Sequence, residues 1–240
     1  AIAAAVAGIV LVRWAQRPVA DTLPGHTHEY VTASGERAVI TLNDGSRITL
    51  NSASRLRIAE GFGEKTRAVE LDGEARFVVQ ANPSMPFIVQ ANGSQVRDLA
   101  TDFVVRAYPG GARTTIAVRD GSVAVQSPTV TPNNAVVVRA FERAEVAPDG
   151  RVHTEAMPNP DADFAWSEGH LVLADLPLGD ALVQLSRWYG MEFRVTNPDL
   201  LQLRINAELP ERYDHELLKT VAATMRARLE VRDTVITFVG

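Results

Sequence analysis

Between residues 31 and 152 the chain is cut into short runs of alternating apolar residues, with Gly, Pro, Asn and Asp at the breaks and no helical period. This punctuation predicts a series of short strands. In AVITLNDGSRITL, residues 38–50, Ile40 and Leu42 share a face with Ile48 and Leu50 only if the loop is Asn43-Asp44-Gly45, with Gly45 at positive φ. TTIAVRDGSVAVQ predicts a two-residue hairpin at Asp120-Gly121 that sets Val118 beside Val123 and Ile116 beside Val125. VELDGEARFVV is read as a third such device, with Val69, Leu71, Ala75, Phe77 and Val79 on one face. A Pro148-Asp149-Gly150 turn closes the region. Each loop carries one or two carboxylates, too few for a cation site, so Asp44-Gly45-Ser46 is expected only to turn the chain.

A chain of 240 residues can bury two cores, and a net charge of −5 gives no bias toward nucleic acid. With no cysteine, disulfides, thiolate metal sites and cysteine nucleophiles are excluded. The apolar run AIAAAVAGIVLV, residues 1–12, precedes Arg13, Trp14 and Arg17. Residues 1–17 are read as the end of a membrane-spanning segment, Trp14 suiting the interface. A signal-peptide core and a buried helix are the alternatives, and Arg13 and Arg17 run against the positive-inside rule for a periplasmic flank.

Residues 18–30 read as a linker, 31–152 as an all-β domain of two packed layers or a short solenoid, and 153–165 as a second linker. Residues 166–240 change character. Leu178, Ala181, Leu182, Leu185 and Trp188 form a helical stripe between Pro177 and Gly190. Leu217, Leu218, Val221, Ala222 and Met225 form another behind the cap Asp214. Leu176-Pro177 and Leu209-Pro210 hold equivalent places, which predicts a duplicated βαβ module closed by a hairpin through Val231, Val235 and Phe238. The fold class is therefore mostly β with a C-terminal α+β domain, its helices covering one side of a small sheet.

Little in the sequence points to chemistry. His26 and His28 fall in a linker, and HELLK at 215–219 lacks the second histidine of a zinc helix. There is no nucleophile elbow and no phosphate loop. Glu36, Glu60 and Glu70 are scattered among strands, and Trp166, Trp188 and Tyr189 suit a core better than a stacking platform. No metal site, cofactor or catalytic residue is expected.

Two stretches together carry a resemblance. Gly35, Glu36, Arg37, Asp44-Gly45-Ser46, Leu50-Asn51, Ser54, Gly73-Glu74-Ala75, Phe77, Pro86-Phe87, Thr101, Phe103 and Gly121 are similar to the FecR-type periplasmic domain of anti-sigma regulators. Trp166, Gly169, Leu171, Pro177-Leu178, Leu182 and Gly190 resemble the secretin and TonB short N-terminal (STN) domain, with Val172 where that family tends to carry an aromatic.

The resemblance implies an inner-membrane, single-pass regulator with most of the chain in the periplasm. It would receive a signal from the N-terminal signalling domain of a TonB-dependent outer-membrane transporter, in iron-siderophore uptake or similar. Through a cytoplasmic segment not in this sequence, it would pass that signal to an extracytoplasmic-function sigma factor. A periplasmic assembly scaffold of secretin type and a self-cleaving domain are the rival readings. Some relatives cut themselves at a Gly-Thr bond. Here the matching bond is Ala100-Thr101, and the Cβ of Ala100 restricts the strained geometry that an N-to-O acyl shift needs. Partner contacts are expected at open strand edges near Leu171 and around Val235 and Phe238, with Arg187, Tyr213 and Arg226 at the rim.

Overall fold

A computed structural model describes residues 26–240 apart from Leu99, Ala112 and 128–134. The expected end of a span at 1–17, and the linker up to residue 25, lie outside the described residues. The chain divides into two compact units. The first holds the strands up to residue 160; the second comprises Thr32–Arg37, Asn51–Ala53 and Asp161–Gly240.

The first unit contains thirteen strands: β1 (His26–Val31), β2 (Ala38–Thr41), β3 (Arg47–Leu50), β4 (Arg55–Ala59), β5 (Arg67–Val78), β6 (Phe87–Ala91), β7 (Ser94–Asp98), β8 (Asp102–Ala107), β9 (Thr114–Asp120), β10 (Ser122–Gln126), β11 (Val136–Arg139), β12 (Glu142–Val146) and β13 (Val152–Ala156). β1 starts at His26 and β13 runs to Ala156, so ordered strand extends into both segments expected to be linkers. β5 is shared by two layers. Its first half pairs with β4 and, in parallel, with β6; its second half pairs with β3 and β8. The side chains of both layers meet in one buried cluster that includes Ile48, Leu71, Phe77, Val89, Phe103, Val118 and Val125.

The first loop forms as expected. Ile40 pairs with Ile48, Leu42 donates its N–H to Ser46 at 2.8 Å, and Gly45 has φ 84°. All four apolar residues of the hairpin are buried. The Pro148-Asp149-Gly150 turn also forms, with Ala147 donating to the Arg151 carbonyl at 2.9 Å.

The other two Asp-Gly pairs behave differently. Asp72-Gly73 does not turn the chain but lies within the continuous strand β5. The unbroken parity from Val69 to Val79 is what a single strand requires. Gly73, at φ 125°, allows close passage, since a Cβ there would stand 2.7 Å from Ser54 Cα. Asp120-Gly121 makes no hairpin: β9 pairs with β8 and β12, while β10 pairs with β7 and β11. It is a corner where the chain passes from one layer to the other. Ile116, Val118, Val123 and Val125 still face the shared core, because a two-residue corner preserves inward parity as well as a two-residue hairpin does.

The second unit follows the expected order of elements. It runs β14 (His170–Pro177), α1 (Leu178–Tyr189), β15 (Glu192–Val195), β16 (Arg204–Pro210), α2 (His215–Thr224), β17 (Arg228–Arg232) and β18 (Val235–Val239). Both helical stripes face inward, Gly190 ends α1 at φ 66°, and Asp214 Oδ1 accepts the Leu217 N–H at 3.0 Å. The strands form two sheets instead of one small sheet. β14 pairs antiparallel with β16, while β18 lies between β15 and β17. The two strands of each repeat thus enter different sheets. β18 takes a central place because it is the most apolar of its group, with Ile236 and Phe238 fully buried.

Candidate functional site

Three crossings between layers gather at one end of the first unit, at 100–101, 120–121 and 140–141. Phe141 donates its N–H to the Val118 carbonyl at 2.8 Å, and Ala140 donates to that of Gly121 at 3.0 Å. The expected Ala100-Thr101 bond lies in this knot. Thr101 is buried, and its hydroxyl donates to Oδ1 of the fully buried Asp98, with the Ser122 carbonyl 3.3 Å away. The Ala100 N–H donates to the same Asp98 oxygen at 3.1 Å. Gly121, at φ 81°, has room for no Cβ, which would meet the Ala100 carbonyl oxygen at 2.8 Å. The hydroxyl that would have to attack the Ala100 carbonyl is thus engaged by a carboxylate within a tightly packed corner. Phe103, two residues on, stacks on Phe77 at 5.1 Å in the core.

Asp44-Gly45-Ser46 does more than turn the chain. Asp44 Oδ1 accepts the Ser46 N–H at 2.9 Å, while Oδ2 receives Arg67 Nε at 2.7 Å. Arg67, 1% exposed, also donates to the Gln80 carbonyl at 2.7 Å, the Met85 carbonyl at 3.0 Å and Ser46 Oγ at 3.2 Å. Ser46 Oγ in turn accepts the Gln80 N–H at 3.0 Å. The cluster is the anchor of a buried arginine, which satisfies its donors as burial of a charge demands. Its signal in the sequence is parity: Arg67 alternates in step with Val69 and Leu71, which places a cation on the inward face.

The residues expected to meet a partner all lie in the second unit, spread over several elements. Tyr213 packs edge-on against Tyr189 at 5.6 Å, and its hydroxyl lies 3.2 Å from His215 Nδ1. Tyr189 Oη and Trp188 Nε1 both donate to the Pro210 carbonyl at 3.0 Å. Burial, with the Asp214 carboxylate second, pushes the Tyr189 phenol up to about 12, and the same causes raise Tyr213. Arg187 sits at the end of α1, where its carbonyl accepts the Gly35 N–H at 2.7 Å. Arg226 is exposed after α2, at φ 57°. Leu171 and Phe238 are buried and Val235 is half-buried, so side-chain contact from this set falls to Arg187, Tyr213 and Arg226.

Of the two expected edges, β18 is not one, since both its sides are paired. β14 pairs only with β16 and keeps an open edge. β17 carries Arg228, Glu230 and Arg232 in mutual ion pairs, and β15 carries a Glu192–Arg194 pair. β14 carries the exposed Asp175, paired with Arg204 of β16, together with His170, Val172 and Ala174. Among the described residues no cluster of three His, Asp or Glu side chains is placed to hold a metal.

A β unit crossed by three corners, followed by an α+β unit, matches known proteins in the same order. Residues 28–124 match the family FecR protein, and residues 170–238 match FecR, C-terminal. Together the two matches take in more than half of the sequence, and the chain belongs to the FecR family. Two crystal structures of a protein from Parabacteroides distasonis ATCC 8503, described as a candidate anti-sigma factor, share the fold. Both are 25% identical, covering 88% of this chain and 98% of that one, with TM-scores of 0.76 and 0.77. No curated protein is a significant match.

Proposed function

We propose that the chain is the periplasmic receiver of an anti-sigma regulator anchored in the inner membrane. On this reading it takes its signal from the N-terminal signalling domain of a TonB-dependent transporter that imports an iron-siderophore or similar cargo, and passes it to an extracytoplasmic-function sigma factor. Membership of the FecR family and the likeness to the Parabacteroides protein support the regulatory role. The observation that carries the site of reception is the open edge of β14, which pairs only with β16. An added strand can satisfy the unpaired N–H and C=O groups, while Tyr213, Arg187 and Arg226 supply a rim. The transporter domain and residues 166–240 both resemble the STN type, so two like sheets could join edge to edge. On this reading the chain acts by binding.

Titration calorimetry of the whole chain against the signalling domain of its cognate transporter tests this. The expected result is saturable binding that Val172→Lys weakens while the thermal midpoint is kept. Full affinity in that variant would move reception away from β14.

A further inference from the structure

β13 lies at the end of its layer, paired with β12 and with no other described strand. The register is unbroken, from Glu142 opposite Ala156 to Val146 opposite Val152. Just beyond the two ends of this ladder, Ala147 donates to the Arg151 carbonyl at 2.9 Å and Met157 to that of Phe141 at 2.8 Å. Hydrogen-bonded positions alternate in an antiparallel pair, so Arg151, His153, Glu155 and Met157 turn their backbone groups toward β12. Val152, Thr154 and Ala156 turn theirs outward. Residues 153–156 are all exposed, and the strand carries no Lys, no Pro and no bulge to deter another strand.

The order of side chains decides what can pair there. Turned about a two-fold axis through Thr154, an antiparallel copy of β13 sets Thr154 against Thr154, Val152 against Ala156 and His153 against Glu155. The Thr154 and Val152–Ala156 positions become hydrogen-bonded pairs, so about six backbone hydrogen bonds close with none left over. His153 and Glu155 fall on the positions between, where side chains stand closest, and the imidazole N–H can donate to the carboxylate. Both share the outer face with Arg143 and Glu145, since Ala144 and Val146 face the core. Arg143 already holds Glu155. Across the joined strands the outer face would run Arg143, Glu155, then His153 and Glu145 of the second copy, basic and acidic groups in alternation. The same operation on β17 sets Arg228 against Arg232, a like-charge pair. We propose that β13 is an interface between two copies of this chain, which continue the layer β2-β3-β5-β8-β9-β12-β13 across a two-fold axis. One short strand a side buries less than a stable dimer needs, so the pairing is weak and reversible. It lies wholly in the first unit and is independent of the β14 edge.

Sedimentation equilibrium of the whole chain up to millimolar concentration tests this, and the average mass should rise toward that of two chains. Thr154→Pro and Ala156→Pro each delete an N–H that points away from β12 and leave the β12–β13 ladder intact. Both variants should keep the thermal midpoint. Their dimer dissociation constants should rise about tenfold or more, the scale of two symmetry-related hydrogen bonds lost together. Because the chain has no cysteine, a single introduced thiol reports contact between copies. Thr154→Cys would set its two Cα atoms about 5.5 Å apart, within the range of a disulfide. Mild oxidation should therefore link it into a dimer faster than Val39→Cys, which sits on the β2 edge at 66% exposure. A mass that stays at one chain at every concentration, self-association that both proline variants retain, or equal cross-linking from Val39→Cys would each overturn the proposal.

Discussion

The guanidinium of Arg37 lies 4.0 Å over the ring of Trp188 and pairs with Glu211. The contact ties the segment Thr32–Arg37 into the second unit, together with the bond from Gly35 to the Arg187 carbonyl. The fit is close, for a Cβ on Gly190 would stand 3.0 Å from the Ser34 carbonyl oxygen. Residues 166–240 are therefore only part of their own fold. Arg37→Ala should lower the stability of the second unit by about 1–2 kcal/mol, the range for a partly desolvated cation–π contact with its ion pair. Thermal melting followed by tryptophan fluorescence would measure it, and an unchanged midpoint would count against the contact.

The Arg67 anchor replaces the simple turn reading with a graded series. Gly45→Ala should destabilise the first unit by about 1 kcal/mol or more, because Ala resists positive φ. Ser46→Ala should cost about 1–3 kcal/mol, since it leaves the Gln80 N–H without its partner. Arg67→Ala should be the most damaging, at about 3–5 kcal/mol, because Asp44 then keeps a half-buried charge unpaired. Urea denaturation of the three variants tests the order; a neutral Ser46→Ala would restore the turn-only reading.

At the Ala100-Thr101 corner the expectation is an intact chain. Mass spectrometry of the purified protein should show one species. Ala100→Gly removes the Cβ restriction and should permit slow cleavage to fragments that stay associated, with a new N-terminus at Thr101. Spontaneous cutting of the unaltered chain at that bond would contradict the packing account.

Tyr189 gives the second unit a dependence on high pH. Its folded value of about 12 lies above that of a free phenol. The folded state therefore holds this proton more tightly than the unfolded chain does. The stabilisation is complete below pH about 10 and is lost as pH rises from there through the folded value. Tyrosinate absorbance should show Tyr189 ionising last, after Tyr213, which is also raised, and Tyr189→Phe should remove that last step.

Much of this was legible in the sequence, because alternation and helical spacing report which residues face inward. Ile40, Leu42, Ile48 and Leu50 were legible as one face, as were the stripes of α1 and α2. Parity says which way a side chain points and not which strand lies beside it. That is why Asp120-Gly121 reads as a hairpin and folds as a corner, and why β18 reads as an edge and folds as a centre. The Arg67 anchor depends on a contact between residues distant in sequence, Asp44 with Arg67, which no local pattern encodes.

Hydrogen exchange on the whole chain, with and without the transporter's signalling domain, tests the central claim most directly. Reception at the second unit predicts new protection within His170–Pro177, with smaller changes near Arg187 and Tyr213 and none in β5 to β13. Protection confined to the strands of the first unit, with His170–Pro177 exchanging as in the free protein, would place the receiver in the other half.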